Sequence, residues 1–332
     1  MPHSACPQGT DVATAAACLR RGQLVAIPTE TVYGLAGHAL DAQAVARIFQ
    51  AKGRPHFDPL IVHAPSAQVA LALASEVPPA ARQLAEAFWP GPLTLVLPRS
   101  PQVPDLVCSG LPTVGLRVPR HPLTQALLEA FGGPLAAPSA NRFGQSSPTR
   151  PAHVQAQLGH KLCYLLDGGP AQVGLESTIV AFPPGEAPML LRLGGLSQQQ
   201  IEATLGQPVQ RARHSTDQPQ APGQLSRHYA PSLPLFVLEE GEALPQGYAP
   251  QALGALPWQQ PLPGIPEQHQ FVLAPDGHTT TGAQRLFEGL QLAGTWPVRA
   301  LVAQWAPPHG LGPAINDRLQ RAAVPPTPSP QA

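Results

Sequence analysis

Residues 28–63 read PTETVYGLAGHALDAQAVARIFQAKGRPHFDPLIVH, and this stretch decides the class of fold. The apolar run 24–28 predicts a strand that ends where the polar residues begin. Asp41 is a good N-cap for a helix, because apolar residues follow it at helical spacing. A second β-rich run occupies 59–64. The stretch therefore predicts a strand, a turn, a helix, a loop and a second strand, which is typical of an α/β protein.

The rest of the first 206 residues alternates predicted strands and helices irregularly. Further strands are expected at 93–97, 113–119, 134–139, 163–167, 177–182 and 189–193. Helices are expected at 11–22, 67–74, 78–88, 122–131, 151–158 and 197–205. Several strands follow one another as hairpin-like pairs. The pattern thus predicts an α/β (α+β) fold with a twisted mixed sheet flanked by helices, and not a regular doubly wound domain.

A polar segment punctuated by prolines begins near residue 206 and is predicted to be a linker. Beyond it, apolar runs predict a small C-terminal α/β domain of Rossmann-like type. Its strands are expected at 235–238, 271–274 and 300–305, and its helices near 280–293 and at 313–323. The predicted organisation is a first domain over 1–206, a linker or lid over 207–232, a second domain over 233–323 and a disordered tail over 324–332.

Charge and composition exclude several classes of protein. The 332 residues carry 20 Lys and Arg against 20 Asp and Glu, so no net field attracts nucleic acid or a membrane. No apolar run approaches the roughly 20 residues of a membrane span, and no secretory signal is visible. We therefore expect a cytoplasmic protein without membrane contact.

The cysteines and histidines do not predict a metal site. Cys6, Cys18, Cys108 and Cys163 lack the spacing of metal ligands, and we expect four reduced thiols. The 12 histidines form no HExxH-like pair. A metal ion held by protein ligands is therefore not expected.

Lys52 and Arg54 are the first candidate functional residues. Lys52 is one of two lysines in the chain, and it lies two positions before Arg54 where the predicted helix ends. An ammonium group is a compact point charge, whereas a guanidinium group is a planar fork. The pair could therefore hold a polyanion such as a phosphate chain. The alternative is that both cations only balance the dipole at the helix C-terminus.

Other candidates are polar residues at strand ends and arginines within apolar strand runs. They are Thr31 in PTETVYGL, Ser139, Asn141 and Ser147 in APSANRFGQSSPT, Ser177 in GLESTIV, and Arg117 and Arg192 in the strands. Hydroxyls and backbone N–H groups at a helix entrance suit an anionic ligand, although a capped turn explains them equally well in isolation. A buried arginine needs a partner, which is either a substrate carboxylate or an internal acidic residue.

Several common catalytic motifs are missing. The sequence contains no GxxxxGK[ST] loop, no GxGxxG fingerprint and no GxSxG elbow. Nor does any serine or cysteine lie beside an evident base. The expected chemistry is binding and charge stabilisation rather than covalent catalysis.

Together these segments closely resemble the YrdC-like family, the threonylcarbamoyl-AMP synthases. The hallmark of that family is a KxR pair followed by SxN, present here as Lys52, Arg54, Ser139 and Asn141. PTETVYGL, FWPGPLTLVL, VGLRVP, GLESTIV and LRLGG match family segments in order, so the resemblance covers about residues 10–206. LSRHYAP and GLGPAINDRLQRAA are similar to segments of the longer, two-domain members.

The resemblance implies a nucleotidyltransferase. L-Threonine, bicarbonate and ATP would give L-threonylcarbamoyl-AMP and pyrophosphate, and a tRNA threonylcarbamoyl transferase complex would use the product to modify adenosine 37 of tRNAs that read ANN codons. The implied catalytic residues are Lys52, Arg54, Ser139 and Asn141. The implied threonine contacts are Thr31, His63, Arg117, Ala137 through its backbone, and Ser177. The implied ATP contacts are Arg54, Asp58, Thr113, Ser139, Ser147, Arg192 and Tyr229.

Asp58 departs from the family pattern, because many relatives have asparagine there. A carboxylate would repel the triphosphate unless Mg²⁺ or an arginine intervenes, so Asp58 ranks below its neighbours as an ATP contact. Mg²⁺ is the expected cofactor, held chiefly by the phosphates of ATP. The SRHYAP segment of the linker is expected to act as a lid that excludes water from a labile carbamate.

Two alternatives remain open from the sequence. The first is a YrdC-like module that binds RNA without chemistry, but the neutral net charge and the scarcity of lysine weigh against strong RNA affinity, although some tRNA contact is possible. The second is a carbamoyl-adenylate step for another acceptor, as in the hydrogenase-maturation relatives. The acylphosphatase and zinc-finger regions of those relatives are missing here.

Overall fold

The computed structural model describes residues 5–183, 185–212, 221–222, 229 and 231–323. These residues form two compact units. The first unit contains 5–143 and 147–222, and the second contains 144–146 and 229–323. The tail predicted at 324–332 and most of the predicted lid, including 223–228, lie outside the described residues. The predicted domain boundaries and the lid therefore stay predictions.

Eleven strands in the described part of the first unit form one sheet, in the order β1-β8-β2-β3-β7-β4-β6-β5-β9-β10-β11. They are β1 Gln8–Gly9, β2 Val25–Ile27, β3 Gly34–His38, β4 Ile61–His63, β5 Leu93–Pro98, β6 Thr113–Arg117, β7 Leu135–Ala136, β8 Tyr164–Leu166, β9 Thr178–Ala181, β10 Met189–Arg192 and β11 Gln210–Arg211. Parallel pairs such as β4–β6 and β5–β9 alternate with antiparallel pairs such as β5–β6 and β9–β10. The prediction of a mixed sheet is confirmed.

The helices of the first unit begin and end at local sequence signals. They are α1 Val12–Arg20, α2 Ala42–Lys52, α3 Ala67–Leu71, α4 Pro79–Phe88, α5 Asp105–Cys108, α6 Pro122–Phe131, α7 Pro151–Leu158 and α8 Gln198–Leu205, with a 3-10 turn at Gly159–Lys161. The Asp41 carboxylate accepts a hydrogen bond from the Gln43 N–H at the start of α2. The helix ends at Gly53, whose φ of 63° is left-handed and favours glycine.

The two faces of this sheet are covered differently. Apolar residues of α2, α4, α5, α7 and α8 pack on one face in a continuous core. Helices α1 and α6 cover the other face where it is formed by β2, β3, β7 and β8. The remaining half of that second face carries a smaller apolar cluster that includes Ile61, Val96 and Ile179. Most of the candidate site residues lie on this half.

The second unit contains a three-stranded parallel sheet in the order β12-β14-β13. Its elements are β12 Leu235–Leu238, β13 Leu253–Leu256, α9 Thr279–Ala293, β14 Ala300–Gln304 and α10 Gly312–Ala322, with 3-10 turns at Pro250–Ala252 and Glu267–His269. The expected small α/β domain is thus present. No helix in the described part of either unit combines the length and the apolar character that crossing a bilayer requires.

One strand of the second unit was predicted wrongly. The run 271–274 is not a strand, and 253–256 takes its place in the sheet. The 271–274 run lies beside this strand without being a strand itself, and the Phe271 N–H donates to the Ala255 carbonyl. Both runs are short and apolar, and periodicity alone cannot decide which of two such runs pairs with its neighbours.

The expectation of four reduced thiols is also wrong. Cys18 of α1 and Cys163, next to β8, form a disulfide bond across 145 residues of sequence. Such a pair has no spacing signal, because only the packing of α1 against β8 brings the sulfurs together. Cys6 and Cys108 are free and buried, and burial raises their pKa to about 11 and about 12.

Candidate active site

Strand register places five candidate residues on one face of the sheet. His63 lies opposite Arg117 where β4 pairs with β6, and Arg192 lies opposite Ile179 where β10 pairs with β9. The intervening strands continue these rows, because Val96 of β5 lies opposite both Gly115 of β6 and Ala181 of β9. Partners in register point to the same face, as do residues two apart on one strand. The shared face therefore carries His63, Thr113, Arg117, Ser177 and Arg192.

Thr113 and Arg117 occupy opposite ends of β6. They are four positions apart on an extended strand, which is roughly 13 Å. Gly115 lies between them on the same face, without a side chain to fill the space. A ligand bound at both ends would therefore lie along this strand.

The KxR and SxN segments meet at Lys52. The Lys52 Nζ donates to the backbone oxygens of Ser139 and Asn141, the latter at 2.7 Å, and lies 3.4 Å from Asn141 Oδ1. The side chain is buried, and burial, with a smaller contribution from Arg54, lowers the pKa of Lys52 well below its usual value. These contacts join the end of α2 to the loop after β7, which simple balancing of the α2 dipole does not require.

Arg54 forms an ion pair with Asp58. Its Nη2 lies 2.8 Å from Asp58 Oδ1, and its Nε donates to the Asp58 carbonyl at 2.9 Å. The same Nη2 donates to the Pro59 carbonyl at 2.8 Å. Both charged side chains are buried, so each offsets the desolvation cost of the other. The repulsion expected from a carboxylate at this position is thereby reduced, while its contact with ATP stays a prediction.

Arg117 has an internal acidic partner, Glu30. Its Nη2 donates to Glu30 Oε1 at 2.8 Å, and its Nε donates to the Gly91 carbonyl at 3.3 Å. The other carboxylate oxygen, Oε2, accepts the Arg120 N–H at 3.0 Å. Burial alone would raise the pKa of Glu30, but the Arg117 charge and these hydrogen bonds hold it below its ordinary value. Among the described residues, the Nη1 group of Arg117 has no acceptor, so it stays available to a ligand.

The hydroxyl groups of Thr29 and Thr31 have fixed hydrogen-bond directions. Thr29 Oγ1 lies 2.6 Å from the Val32 carbonyl, which can only accept, so the Thr29 hydroxyl donates there. The Thr31 hydroxyl, 2.7 Å away, must then donate to Thr29 Oγ1. Thr31 consequently offers only lone pairs to any further partner. A ligand group at Thr31 must be an N–H or O–H donor.

His63 is neutral because it is buried near a positive charge. Burial, followed by the nearby Arg117 charge, lowers the pKa of His63 to about 3. Its Nδ1 lies 3.3 Å from the Ile61 carbonyl, so the hydrogen belongs on Nδ1 in this contact. The Nε2 atom is then an acceptor. Arg117 and His63 therefore present a donor and an acceptor from adjacent strands.

Ser177 and Arg192 form a second group on the same face. The Arg192 Nε and Nη2 donate to the Ser177 carbonyl at 3.1 and 3.0 Å, and Nη2 lies 3.1 Å from Ser177 Oγ. The Ser177 hydroxyl is also 2.7 Å from Thr94 Oγ1 on β5. A Cβ atom on Gly194 would lie 2.3 Å from the Glu176 carbonyl oxygen, so the LRLGG segment needs glycine to pass this close.

The remaining candidates lie in different surroundings. Ser147 is fully buried and donates to Glu176 Oε1 at 2.6 Å. The Ala137 N–H donates to the Ile61 carbonyl, which places its backbone beside β4. Tyr229 belongs to the second unit, where its ring packs 5.3 Å from the ring of Phe287. Its role at ATP, like the roles of the other candidates, stays a prediction.

Sequence reasoning did not assign four polar residues that contact the candidates. Glu30 and Thr29 lie in PTETVYGL, and their position beside Thr31 was the available signal. Thr94 and Glu176 lie in FWPGPLTLVL and GLESTIV. Glu30, Thr94 and Glu176 contact candidates that are distant in sequence, whereas the contact of Thr29 with Thr31 depends on local turn geometry. A linear pattern reveals neither kind of contact.

Comparison with known proteins gives consistent matches over nearly the whole chain. A family model described as Telomere recombination, for the Sua5, YciO and YrdC proteins, matches residues 17–194. A second model, described as Threonylcarbamoyl-AMP synthase, C-terminal domain, matches residues 196–324. The threonylcarbamoyl-AMP synthase of Pyrococcus abyssi is 39% identical over 320 residues, which is 93% of each chain. That of Bacillus subtilis is 38% identical over 322 residues, covering 94% of this chain and 92% of the relative.

A solved structure agrees with the described fold. The crystal structure of P. abyssi Sua5 complexed with L-threonine matches with a TM-score of 0.86 at 36% identity, covering 96% of this chain and 98% of that one. The fold and site define an α/β protein whose mixed sheet gathers buried arginine, histidine and hydroxyl groups on one face. The chain belongs to the Sua5–YciO–YrdC family, as a two-domain member that carries the C-terminal domain of the threonylcarbamoyl-AMP synthases. The resemblance found in the sequence is confirmed.

Proposed function

We propose that this protein is an L-threonylcarbamoyladenylate synthase. It converts L-threonine, bicarbonate and ATP into L-threonylcarbamoyl-AMP, pyrophosphate and water. The observation that carries the proposal is the shared sheet face, where Arg117 and His63 lie opposite each other and Arg192 lies three strands beyond β6. The similarity to threonylcarbamoyl-AMP synthases over 93% of the chain supports the same reaction.

Threonine binds at the Arg117 end of β6. The open Nη1 group of Arg117 donates to the α-carboxylate, as a guanidinium fork does. Thr31 and His63 Nε2 are acceptors, so they suit the hydrogens of the amino group. A neutral His63 adds no positive charge, and a reacting amine must itself be neutral. The donor and acceptor pattern therefore complements an α-amino acid that is ready to form a carbamate.

ATP binds towards Thr113, Arg54, Ser147 and Arg192. The cationic side chains offset the charge of the triphosphate, while Lys52 holds the 139–141 loop beside them. No set of three or more metal-ligating side chains is found within the described residues. The nearby carboxylates of Asp58 and Glu176 already contact Arg54 and Ser147. This donor set suits Mg²⁺ that arrives with the phosphates and offsets their charge, rather than an ion held in a protein cage.

The reaction needs positioning more than a protein nucleophile. The threonine amine takes up carbon dioxide or bicarbonate to form a carbamate, whose oxygen then attacks the α-phosphorus and releases pyrophosphate. Both reactants are anions, so holding them together and offsetting their charge lowers most of the barrier. The described site side chains are almost all buried, which keeps water away from the carbamate.

Three further parts of the proposal concern the use of the product, the location of the protein and the lid. The product passes to a tRNA threonylcarbamoyl transferase complex for modification of adenosine 37, and direct contact of the synthase with the tRNA belongs to the same proposal. The synthase acts in the cytoplasm, where its substrates and tRNA are found. The third part is the lid role of the SRHYAP segment, which lies outside the described residues except for Tyr229 and Pro231.

The test is incubation of the purified protein with ATP and bicarbonate, with and without each amino acid. The proposal expects pyrophosphate release and an acyl-adenylate that both depend on threonine. Equal pyrophosphate release without threonine would refute it. Tight, salt-dependent tRNA binding without any adenylate would favour the RNA-binding alternative instead.

A further inference from the structure

We propose that Glu30 is a positioning residue of the amino-acid site, acting by aiming the Arg117 guanidinium group at the substrate carboxylate. This inference rests on the proposed function, since it concerns how the same site recognises threonine. Glu30 itself touches Arg117 and the Arg120 backbone. It is therefore distinct from the residues that contact substrate.

The geometry leaves Arg117 one free direction. Glu30 Oε1 holds Nη2 at 2.8 Å and the Gly91 carbonyl holds Nε at 3.3 Å. These two contacts fix the plane of the guanidinium group, because it is rigid and planar. Only the Nη1 side lacks an acceptor within the described part of the chain. A bound carboxylate would thus meet a donor that is already oriented.

The second Glu30 oxygen fixes the chain after β6. Oε2 accepts the Arg120 N–H at 3.0 Å, three residues beyond Arg117. One carboxylate therefore holds both the side chain of Arg117 and the backbone that follows it. Glu30 is 1% exposed, so water cannot replace either contact.

Charge balance gives Glu30 a second consequence. An unpaired guanidinium group in this site would attract any anion, and bicarbonate and ATP are both anions that must bind elsewhere. Pairing with Glu30 makes the buried pair neutral while leaving the Nη1 hydrogens in place. The carboxylate of threonine then binds by hydrogen-bond geometry and not by net charge alone.

The same motif offers a natural comparison in Thr29, which sets the direction of the Thr31 hydroxyl. Thr29 and Glu30 thus directly precede Thr31, and each orients a group expected to contact threonine. Because Glu30, unlike Thr29, contacts Arg117, its removal is expected to affect recognition of the carboxylate specifically.

The experiment combines Glu30→Gln with Arg117→Ala in a double-mutant cycle, using calorimetric binding of threonine and of threoninamide, which lacks the carboxylate. Glutamine has nearly the same shape, but its amide cannot accept from both the Arg117 Nη2 and the Arg120 N–H. We expect Glu30→Gln to weaken threonine binding and to raise the threonine KM by about 10- to 100-fold, while the ATP KM stays within about twofold. Its threoninamide binding is expected to change little.

Coupling separates positioning from a general structural role. If Glu30 acts through Arg117, the Glu30→Gln change adds almost no loss in the Arg117→Ala background. Equal losses in both backgrounds, or equal effects on threonine and threoninamide, would overturn the inference. Asp105→Asn is the control, because it breaks the Arg99–Asp105 pair, which lies at 2.5 Å with an exposed carboxylate, and is expected to leave threonine binding unchanged.

A second variant covers the case in which Glu30→Gln does not fold. Glu30→Asp keeps the charge but is one methylene too short to reach both partners, so a smaller rise in the threonine KM is expected; an unchanged KM would count against positioning. The wild-type protein distinguishes the two levels of proposal. If it binds no threonine, the proposed function and this inference both fail; if it makes the adenylate and the variants match it, only the inference fails.

Discussion

Replacing Lys52 by methionine tests the contact between the KxR and SxN segments. Methionine keeps most of the apolar stem of Lys52 but removes the ammonium group. That group donates to the Ser139 and Asn141 carbonyls, and it lies near Asn141 Oδ1. The variant therefore leaves buried carbonyl oxygens without their donor and releases the 139–141 loop from α2.

The magnitude follows from opposing contributions. Hydrogen bonds that involve a charged group contribute about 1.5–3 kcal/mol each, and Lys52 makes two short ones. Burying the ammonium group, which is 3% exposed, costs part of that gain, as its lowered pKa indicates. We estimate a net loss of about 2–4 kcal/mol in holding the loop. If the loop must be in place for the transition state, kcat/KM for ATP falls by roughly 30- to 1,000-fold.

The assay measures pyrophosphate release at saturating threonine and bicarbonate, together with urea unfolding of each variant. Lys161→Met is the matched control, since Lys161 is the other lysine of the chain. Its Nζ also donates to a backbone oxygen, that of Ala51 at 2.8 Å, but the residue is exposed. We expect the control to lose less than about 1 kcal/mol of stability and to keep its kcat/KM.

Equal kinetics for Lys52→Met and the wild-type protein would refute this reasoning. So would equal losses of kcat/KM in Lys52→Met and Lys161→Met. A loss of stability without a loss of kcat/KM in folded protein would show that Lys52 only braces the loop.

Three further predictions concern other parts of the first unit. Thr29→Val frees the Thr31 hydroxyl to rotate, so the threonine KM should rise by about 3- to 10-fold in steady-state kinetics. Thr29→Ser keeps the hydroxyl and should leave the threonine KM at its wild-type value. His63 has a folded pKa of about 3 against 6.5 for the free side chain, so its contribution to stability is complete above pH 6.5 and is lost as pH falls. Urea unfolding should show about 2 kcal/mol less loss between pH 6.5 and 5 in His63→Gln than in wild type, and equal slopes would contradict the assignment. The Cys18–Cys163 bond closes a loop of 145 residues, so Cys163→Ser should lower the free energy of unfolding by about 2–5 kcal/mol; finding four free thiols in denatured, non-reduced wild type would contradict the bond.

Local signals in the sequence predict most helices well. Asp41 and Gly53 mark the two ends of α2, and α7 spans the predicted 151–158. Strand β3, Gly34–His38, was not predicted, because GLAGH lacks the β-branched and aromatic residues that favour strands. It becomes a strand through pairing with β2 and β7, which is a property of the assembled sheet.

For the candidate site, too, one part could be predicted from the sequence and another part depends on the fold. The sequence identified Arg117 as a buried charge that needs a partner, but it could not choose between a substrate carboxylate and an internal acid. Glu30 lies 87 residues away, and only the fold brings it to 2.8 Å from Arg117. Likewise, the acceptor role of Thr31 depends on the distance between Thr29 and the Val32 carbonyl. The folded geometry decides which groups pair and which of them donate or accept hydrogen bonds, whereas the residue types can be read from the sequence.

The proposed function depends most directly on one product. The wild-type protein should be incubated with ATP, L-threonine and ¹³C-labelled bicarbonate, and the adenylate analysed at once by mass spectrometry. We predict threonylcarbamoyl-AMP that carries the label and forms in step with pyrophosphate. Pyrophosphate without this adenylate, or an adenylate that lacks either the label or threonine, would contradict the account.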